Sequence, residues 1–405
     1  MVFLVVFPVF TEVINWSAPE LRPALMALKD HDTLCLSSGN YFLKPVGWVS
    51  KKKNIAVISG EGPGKAVING PGKTPRKELL SFNDCSNILI EGLEIRNSGD
   101  NALKISACRN VIIKGCYIHN AFGQGDCIKI TVPPGNFSEN ISILNCISHS
   151  PGLNEEKKGN REYEECLDMI RSKNVLIKNC WFFHIDTLGN QLSYPKCGCS
   201  GIRYESCLFG PQSKAAWDPA VGGGASSFPG LEYNVVDQTV SNSIFVDCPH
   251  GAVVSFGSKN FSIIGNIFMN CGGRTRYSPP KLGIVHVKSL KGKCERNDGI
   301  YIKNNVFYNE SGIVYPFAVQ SGSVSGLEHS GNIYFNKNGE YKVSDGYEYR
   351  SENKALFCNP YCGKTPGPVV FSVTEKTDFR SLADLRDSIM LEYRPENENC
   401  FFNGE

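Results

Sequence analysis

Short stretches in which apolar and polar residues alternate recur along most of the chain. In most of these stretches, apolar residues stand one and three places after a polar or small residue, as Ile88 and Ile90 follow Asn87. Alternation over so few residues predicts a β-strand with one buried face. Nine such starting positions occur at intervals between 23 and 39 residues: Asn87, Asn110, Asn140, Asn174, Gly201, Asp237, Asn260, Gly299 and Gly326. A fixed pattern at a varying interval predicts repeats that differ in loop length.

Two further features keep step with this repeat. The residue ten places after the start is polar in all copies but the one with Pro211, which indicates side chains stacked at one turn: Asn97, Asn120, Ser150, His184, Asp247, Asn270, Asn309 and Asn336. A second short strand precedes several of the starts: Ala102–Ile105, Cys127–Ile130, Cys166–Ile170, Ala252–Phe256 and Ile284–Lys288. Two or three strands per coil predict an all-β fold, a right-handed parallel β-helix in which each coil rests on its neighbours. Propeller blades are longer, at ~40 residues, and a sandwich lacks the repeated turn asparagine.

Both ends of the chain carry helical patterns. A Ser17 cap, a proline in the first turn and apolar residues at helical spacing predict a short helix over residues 17–29 that closes the N-terminal end of the core. The apolar residues from Phe379 to Ile389 predict a C-terminal cap helix within residues 378–392. We therefore expect one solenoid over residues 1–340 and a C-terminal capping segment over residues 341–405.

Composition narrows the classes of function. The net charge of +2 gives no global field that would select nucleic acid, and no apolar run reaches eighteen residues, so no membrane span is expected. The apolar start Val2–Phe10 allows either a secretion signal or a first strand, because a basic n-region and a cleavage site are missing. We expect a monomer that is secreted or held at the cell surface.

Four of the seventeen cysteines stand six places after the start in consecutive repeats: Cys116, Cys146, Cys180 and Cys207. Alternation points them into the core, where they stack as small apolar side chains. A stacked column gives no tetrahedral arrangement for zinc, so no metal is predicted there. The pairs Cys197/Cys199 and Cys358/Cys362 leave a disulfide or half a zinc site open.

The second strand carries the candidate chemistry. Its outward positions place Lys104, Lys129 and Asp168 one above another at ~4.8 Å per coil. Arg171 follows at the end of the strand, and His286 is the outward residue of a later coil. We expect Lys129 to be a base whose pKa is lowered by Lys104 and by partial burial. Asp168 would orient a cation, and Arg171 would stabilise the charge that builds on a substrate carboxylate.

Long loops beside this strand are expected to wall a groove suited to a polymer. They carry basic residues expected to bind the substrate together with Lys104: Lys157, Arg161, Arg274 and Arg276. Positive loops beside the groove suit a glycan that bears carboxylates or sulfates.

Several stretches resemble the pectin-lyase-like family of right-handed parallel β-helices. Residues 32–41, DTLCLSSGNY, resemble the family's D-T-I-x-x-x-x-G-x-Y entry, and residues 166–175, CLDMIRSKNV, resemble the L-D-V-x-x-S-x-N-V stretch of pectate lyases. In that family the aspartate matching Asp168 helps to bind calcium, so the resemblance implies calcium as an optional cofactor. Residues 125–130, GDCIKI, resemble the G-D-D-C-I-x-I stretch of polygalacturonases. The acid of that motif falls on Gly125 here, Asp126 keeps the second carboxylate, and the family's other catalytic aspartate falls near Asn101.

These observations predict a carbohydrate-active enzyme, foremost a polysaccharide lyase that acts on an acidic glycan by β-elimination. A lyase needs a cation to neutralise the uronate carboxylate and a base to take the C5 proton. The alternative is a glycoside hydrolase that uses Asp126 and Asp168, which needs two carboxylates ~5 to 9.5 Å apart. A second alternative is a glycan-binding or surface protein without catalysis.

Overall fold

Three parallel β-sheets run the length of the solenoid. The computed structural model describes residues 12–43, 46–72, 78–122, 125–133, 135–150, 165–184, 191–212, 219–223, 231–273, 283–289, 296–309, 315–320, 322–336, 353–358 and 368–373. Within these residues the three sheets have twelve, eleven and ten strands, and each strand pairs in register with its equivalents in the neighbouring coils. The predicted all-β, right-handed parallel β-helix is confirmed.

The first sheet contains the strands that the repeated pattern predicts. In spatial order its strands are β1 Glu12–Trp16, β2 Asp32–Leu36, β5 Lys53–Ser59, β8 Ser86–Glu91, β11 Arg109–Lys114, β14 Ser138–Leu144, β17 Ser172–Lys178, β20 Cys199–Glu205, β23 Val235–Ser241, β26 Ser258–Ile264, β29 Asn297–Lys303 and β32 Val324–Ser330.

The second sheet follows the first after a short turn in each coil. It is formed by β3 Gly39–Phe42, β6 Ala66–Asn69, β9 Leu93–Ser98, β12 Tyr117–Ala121, β15 Ile147–Ser150, β18 Trp181–His184, β21 Leu208–Phe209, β24 Ile244–Val246, β27 Ile267–Met269, β30 Val306–Asn309 and β33 Ile333–Asn336.

The third sheet carries the candidate chemistry. In chain order its strands are β4 Gly47–Ser50, β7 Leu80–Asn83, β10 Leu103–Ser106, β13 Ile128–Thr131, β16 Leu167–Ile170, β19 Ser193–Lys196, β22 Val221–Gly223, β25 Val253–Phe256, β28 Gly283–Lys288 and β31 Tyr315–Val319. Outside the solenoid, β34 Asn353–Cys358 and β35 Pro368–Val373 form an antiparallel pair.

Alternation fills the core as predicted. On the first sheet the residues one and three places after the starting positions from Asn87 to Gly299 are buried, for example Val111 and Ile113. On the second sheet consecutive coils stack phenylalanine rings whose centroids lie 4.6 to 5.6 Å apart: Phe182, Phe209, Phe245, Phe268 and Phe307. Phenylalanine therefore recurs at the same position in consecutive coils of the second sheet, so that each coil packs on a similar side chain of its neighbour.

The starting position itself is a corner of the backbone. Asn110, Asn140 and Asn174 all have φ between 54° and 57°, a left-handed conformation that asparagine and glycine adopt most easily. Their side-chain amides form a ladder, in which each Nδ2 donates to the Oδ1 of the preceding coil at 2.6 to 3.2 Å from Asn87 to Asn174. The predicted ladder ten places later is also present between Asn69, Asn97 and Asn120. The longer ladder at the starting position was not predicted.

The N-terminal helix is shorter than predicted. It spans Arg22–Ala27, and its N-cap is Leu21 rather than Ser17 because Glu20 is drawn into a parallel bridge with Phe42. The buried side chain of Leu25 faces Gly47 of the edge strand β4, where an added Cβ would lie 2.7 Å from Leu25 Cδ1. Residues 378–392, the predicted C-terminal helix, lie outside the described residues, as does most of the predicted capping segment 341–405.

The cysteine column is buried, as predicted. Cys116, Cys146, Cys180 and Cys207 are free thiols with at most 1% exposure. The same position in the next coils holds Ser243 and then Asn266, and the backbone N–H of Cys207 donates to Ser243 Oγ at 3.0 Å. Cys197 and Cys199 are also buried, and the backbone N–H of Cys197 donates to Asn234 Oδ1 at 2.7 Å. The disulfide and zinc alternatives for this pair stay predictions. The side chains of Cys358 and Cys362 lie outside the described residues.

Candidate functional site

The outward column of the third sheet is the one that alternation predicts. Strand register places Lys104 beside Lys129 and Lys129 beside Asp168. Inward neighbours on the same strands, such as Ile128 and Leu167, are fully buried in the core. Period-two alternation therefore fixes which side chains of β10, β13 and β16 can reach a ligand.

Five side chains come together on this face, and we call them the lysine–carboxylate cluster: Asp126, Lys129, Glu165, Asp168 and Lys196. The ammonium of Lys129 donates to Asp126 Oδ2 at 2.9 Å and to Asp168 Oδ2. The ammonium of Lys196 lies 3.1 Å from Asp168 Oδ1. The remaining oxygen of Asp126, Oδ1, accepts the backbone N–H of Glu165 at 3.0 Å.

The acids of the cluster are more deeply buried than its lysines. Asp168 has 0% exposure, Asp126 2% and Glu165 4%, whereas the side chains of Lys129 and Lys196 keep 21% and 18%. The carboxylates thus lie deeper, and the ammonium groups are the most exposed parts of the cluster. Buried carboxylates are stable only when they are paired, and the two lysines provide that pairing.

The charges of the cluster set the pKa values of its members. Burial lowers the pKa of the Lys129 ammonium, but the charges of Asp126 and Asp168 outweigh burial, and the net pKa is raised. Lys196 behaves in the same way, with Asp168 and Glu165 raising its pKa against burial. The expectation that Lys129 has a lowered pKa is therefore wrong. Lys104, the expected cause, is itself neutralised by Glu78, whose Oε1 lies 2.5 Å from its Nζ.

The two buried acids next to each other behave in opposite ways. Burial raises the pKa of Asp126, but Lys129 and the hydrogen bond with Glu165 outweigh it, and the net pKa is lowered. Burial, and then the charge of Asp126, raise the pKa of Glu165 well above its usual value. A pair of acids whose pKa values are driven apart can hold one proton between them at neutral pH.

Calcium does not fit the cluster with its lysines in place. One ligand oxygen from each of Asp126, Glu165 and Asp168 lies within 4.8 Å of the others, so the acids alone form a metal-like group. Calcium needs six to eight oxygens at 2.3–2.6 Å. Here the oxygens of both aspartates already face an ammonium or an N–H group. The chain's own ammonium groups provide the positive charge.

At Gly125 and Asn101 this chain lacks the two aspartates that the polygalacturonase motif would place there. A Cβ at Gly125 would lie 2.2 Å from the backbone carbon of Asp100, so no acidic side chain fits at that position. Asn101 lies where the resemblance places it, and its Oδ1 accepts the N–H of Asp126 at 3.0 Å. An amide there orients Asp126 but provides no second acid.

The other predicted site residues are placed elsewhere or lie outside the described residues. The register through Tyr194, Gly222 and Val254 places His286 in the same column on β28, but four coils from Asp168, or ~19 Å, and His286 is buried with 3% exposure. Arg171 forms the corner after β16 with φ 51°. The basic loop residues lie outside the described residues: Lys157, Arg161, Arg274 and Arg276.

Glu165 and Lys196 were missed by the sequence pattern. Both lie in stretches interpreted as loops, Pro151–Glu165 and Asp186–Cys199. The second of these contains β19, whose sequence SYPK includes a proline and so hid the strand. The signal that could have found Lys196 is the repeat itself, since the register pairs it with Ile170 at the end of β16.

A second polar group lies on the outer face of the second sheet. Glu94 Oε1 lies 2.8 Å from Arg96 Nη1 and 3.2 Å from His119 Nε2, and Tyr117 Oη lies 2.6 Å from His149 Nε2. The imidazole rings of His119 and His149 have their centroids 4.8 Å apart and are tilted by 30° to each other. Burial, followed by neighbouring imidazoles, lowers the pKa of His149. This group belongs to a different face from the lysine–carboxylate cluster.

Comparisons with known proteins establish the fold. No protein-family model and no curated protein matches the chain. Among solved structures, ORF18 of Geobacillus virus E2 has a TM-score of 0.51 at 12% identity over 88% of this chain and 74% of its own. The A-module of the Azotobacter vinelandii mannuronan C-5 epimerase AlgE4 has 0.50 at 12% identity, over 75% and 86%. The pectate lyase Pel9A has 0.49 at 12% identity, over 80% of each chain.

The chain therefore has a right-handed parallel β-helix fold. In the described part of the chain, no helix has the length and apolar character to cross a membrane.

Proposed function

We propose that this chain is a polysaccharide lyase that cleaves an acidic, uronate-containing glycan by β-elimination. The observation that carries the proposal is the pair of ammonium groups, Lys129 and Lys196, held on the outer face of the third sheet by buried carboxylates. The epimerase that shares the fold is named for mannuronan, a glycan of the class we propose. A polymeric substrate is consistent with a secreted or cell-surface protein.

The ammonium groups would neutralise the substrate carboxylate. A uronate C5–H becomes acidic when a cation withdraws charge from the neighbouring carboxylate. Lys129 and Lys196 supply that charge at a fixed position, because Asp168 contacts both and Asp126 contacts Lys129. Asp168 thus keeps the role we expected for it, which is to orient a cation against the substrate. The cation is a side chain.

Elimination also needs a group that accepts the C5 proton. As the C5–H bond breaks, its electrons form the C4=C5 double bond, and the C4–O bond breaks with its electron pair on the leaving oxygen. Lys129 is a poor acceptor in the free protein because its pKa is raised. Glu165 in its ionised form is our candidate: burial, and then the charge of Asp126, raise its pKa, so the carboxylate is a stronger base than an exposed glutamate once it has lost its proton. Lys129 is then placed to return a proton to the leaving oxygen.

The cluster weighs against the hydrolase alternative. The nearest oxygens of Asp126 and Asp168 lie within 4.8 Å of each other, and Lys129 binds both. A hydrolase needs one carboxyl group that carries a proton and a second that acts as base or nucleophile, with ~5 to 9.5 Å between them. Asp126 and Asp168 share one ammonium group, so neither is set apart as the protonated acid and the other as the base or nucleophile.

The experiment is a comparison of turnover on oligouronates between wild type and matched variants. Asp168→Asn keeps the shape of the side chain, removes the charge that holds both lysines, and should lower the rate ~10²-fold or more. Lys129→Met should do the same. Lys114→Met is the matched control, because Lys114 also pairs with a carboxylate of the adjacent strand, Glu91, but on the first sheet. Full turnover of Asp168→Asn and Lys129→Met would remove this site from consideration.

A further inference from the structure

A tryptophan is exposed on the same face as the lysine–carboxylate cluster. Trp48 lies on β4, the edge strand of the third sheet, and its side chain is 63% exposed. The register runs from Trp48 to Ser81, then to Lys104, Lys129 and Asp168. The indole therefore stands in the outward column that carries the cluster.

The spacing of this column suits an extended ligand. Trp48 and Lys129 are three coils apart, or ~14 Å at ~4.8 Å per coil. Ser81 between them is small and buried, whereas Lys104 is partly exposed and paired with Glu78. A single sugar cannot reach from the ammonium groups to the indole, but an oligosaccharide lying along the column can.

The chemistry of the indole defines the ligand. An aromatic ring has a negative face, which attracts the partly positive C–H bonds on the face of a pyranose ring. Stacking of this kind needs a flat, accessible ring, and an exposed tryptophan provides one. The ammonium groups of the cluster bind negative charge, and the indole binds the apolar face of a sugar ring. A ligand that has both features is an acidic glycan.

We propose that Trp48 is a distal saccharide subsite, on which a pyranose ring of the acidic glycan stacks while the lysine–carboxylate cluster holds a uronate three coils away. The proposal rests on the proposed function, since it adds a second contact for the same polymer. The ligand runs along the outward column of the third sheet, towards the N-terminal end of the solenoid.

Another explanation of the exposure is a contact at the N-terminal end of the solenoid. Other large apolar side chains at that end are also exposed, among them Met26 at 68% and Phe42 at 46%. Met26 lies on α1 and Phe42 on the second sheet, so neither shares the outward column of the cluster. Trp48 alone of the three is in register with Lys129, which favours the saccharide subsite over an end-to-end contact with a second copy.

The test is the affinity of the full-length protein for oligogalacturonates and oligomannuronates of graded length, measured by calorimetry at low salt. Trp48→Ala should weaken binding of the longer oligomers roughly 3- to 10-fold, from the 0.5–1.5 kcal/mol of an aromatic contact. Disaccharides, which cannot span the column, should bind the variant and wild type equally. Trp48→Phe keeps an aromatic face and should recover most of the loss. Met26→Ala is the matched control for an exposed apolar residue at the same end and should bind as wild type does.

Three outcomes would overturn the proposal in different ways. If wild type binds the oligomers and Trp48→Ala binds them equally well, the subsite is wrong and the proposed function stands. If Trp48→Ala and Met26→Ala weaken binding alike, or both change the oligomeric state in sedimentation, the exposed tryptophan belongs to an end contact. If wild type binds no oligouronate of any length, the proposed function fails together with the subsite.

Discussion

At the scale of single residues, Asp168 determines the character of the site. It is fully buried, yet both of its oxygens face lysine ammonium groups. A buried carboxylate without such partners would cost several kcal/mol. The pairing orients Lys129 and Lys196 in one direction, so that two flexible side chains present charge at a defined place.

The first prediction is that removal of the lysines creates a calcium site. Wild type should show no change in thermal midpoint on addition of calcium, because the ammonium groups occupy the positions of a cation. Lys129→Met/Lys196→Met leaves Asp126, Glu165 and Asp168 with oxygens within 4.8 Å and without those positive charges. This variant should be stabilised by millimolar calcium, by about 2.7 kcal/mol at 100 times the dissociation constant.

The control for calcium binding is Lys114→Met/Lys178→Met, which removes two lysines that pair with Glu91 and Glu205 on the first sheet. A rise in the midpoint with calcium in this control or in wild type would contradict the assignment of the lysines as the cations of the cluster.

The second prediction concerns pH and Glu165. Its folded-state pKa is raised above the unfolded value of ~4.3, chiefly by burial. Its contribution to stability is therefore fully present below pH ~4.3 and is lost as the pH rises through the folded pKa. Glu165→Gln has no such loss. The free energy of unfolding of the variant, measured with urea, should thus gain on wild type between pH ~4 and pH 8.

Glu91→Gln is the control for the pH series, because Glu91 is a partly exposed acid that pairs with Lys114. A constant difference between Glu165→Gln and wild type across the series would show that Glu165 is not held in its protonated form. An equal gain in both variants would assign the effect to net charge.

At the scale of the strands, the sequence predicted most of the fold because alternation is strong where both core neighbours are large. Val111 and Ile113 show this on the first sheet, and Ile128 and Ile130 on the third. The sequence did not predict β19 or β22, because Pro195 in β19 and two glycines in β22 interrupt the alternating pattern. Those strands are held by their neighbours in the stack, which a single strand's sequence does not contain.

The site was predicted in part from alternation and in part from a resemblance. Lys129 and Asp168 were found because alternation gives the direction of a side chain on β13 and β16, and Asp126 because residues 125–130 resemble a polygalacturonase motif. Glu165 and Lys196 were not, because each reaches the cluster across coils from a stretch whose length varies. The raised pKa of Lys129 likewise depends on the contacts of its ammonium with Asp126 and Asp168, which the sequence alone does not show.

The third prediction tests the corner asparagines. Asn140 has φ 57°, donates to Asn110 Oδ1 at 3.0 Å and accepts from Asn174 Nδ2 at 3.2 Å. Asn140→Ala loses the ladder and holds a Cβ in the left-handed region, which costs about 1–2 kcal/mol. Asn140→Gly loses the same hydrogen bonds without that strain, as Gly201 and Gly299 show at equivalent positions.

Unfolding in urea should therefore show Asn140→Ala to be the less stable of the two by about 1–2 kcal/mol. Equal stability of the alanine and glycine variants would mean that the amide ladder, and not the backbone conformation, selects asparagine at this corner.

At the scale of the whole molecule, a nearly neutral chain carries two partly exposed ammonium groups on one face of the solenoid. The net charge of +2 gives no long-range attraction for an anionic polymer. Recognition must then come from local groups on the solenoid: the ammonium pair of Lys129 and Lys196, with Trp48 at the end of the same column. A long flat face with contacts spread over several coils suits a polymer better than a small molecule.

The most direct test of the central claim is the ultraviolet spectrum of the products when wild type, pretreated with a chelator, acts on polygalacturonate and on alginate. An anchored lysine pair that drives β-elimination should produce the absorbance of an unsaturated uronate on at least one polymer, undiminished by the chelator. Asp168→Asn should produce it at least ~10²-fold more slowly. New reducing ends without the unsaturated product would identify a hydrolase, and neither signal on any uronate polymer would contradict the account.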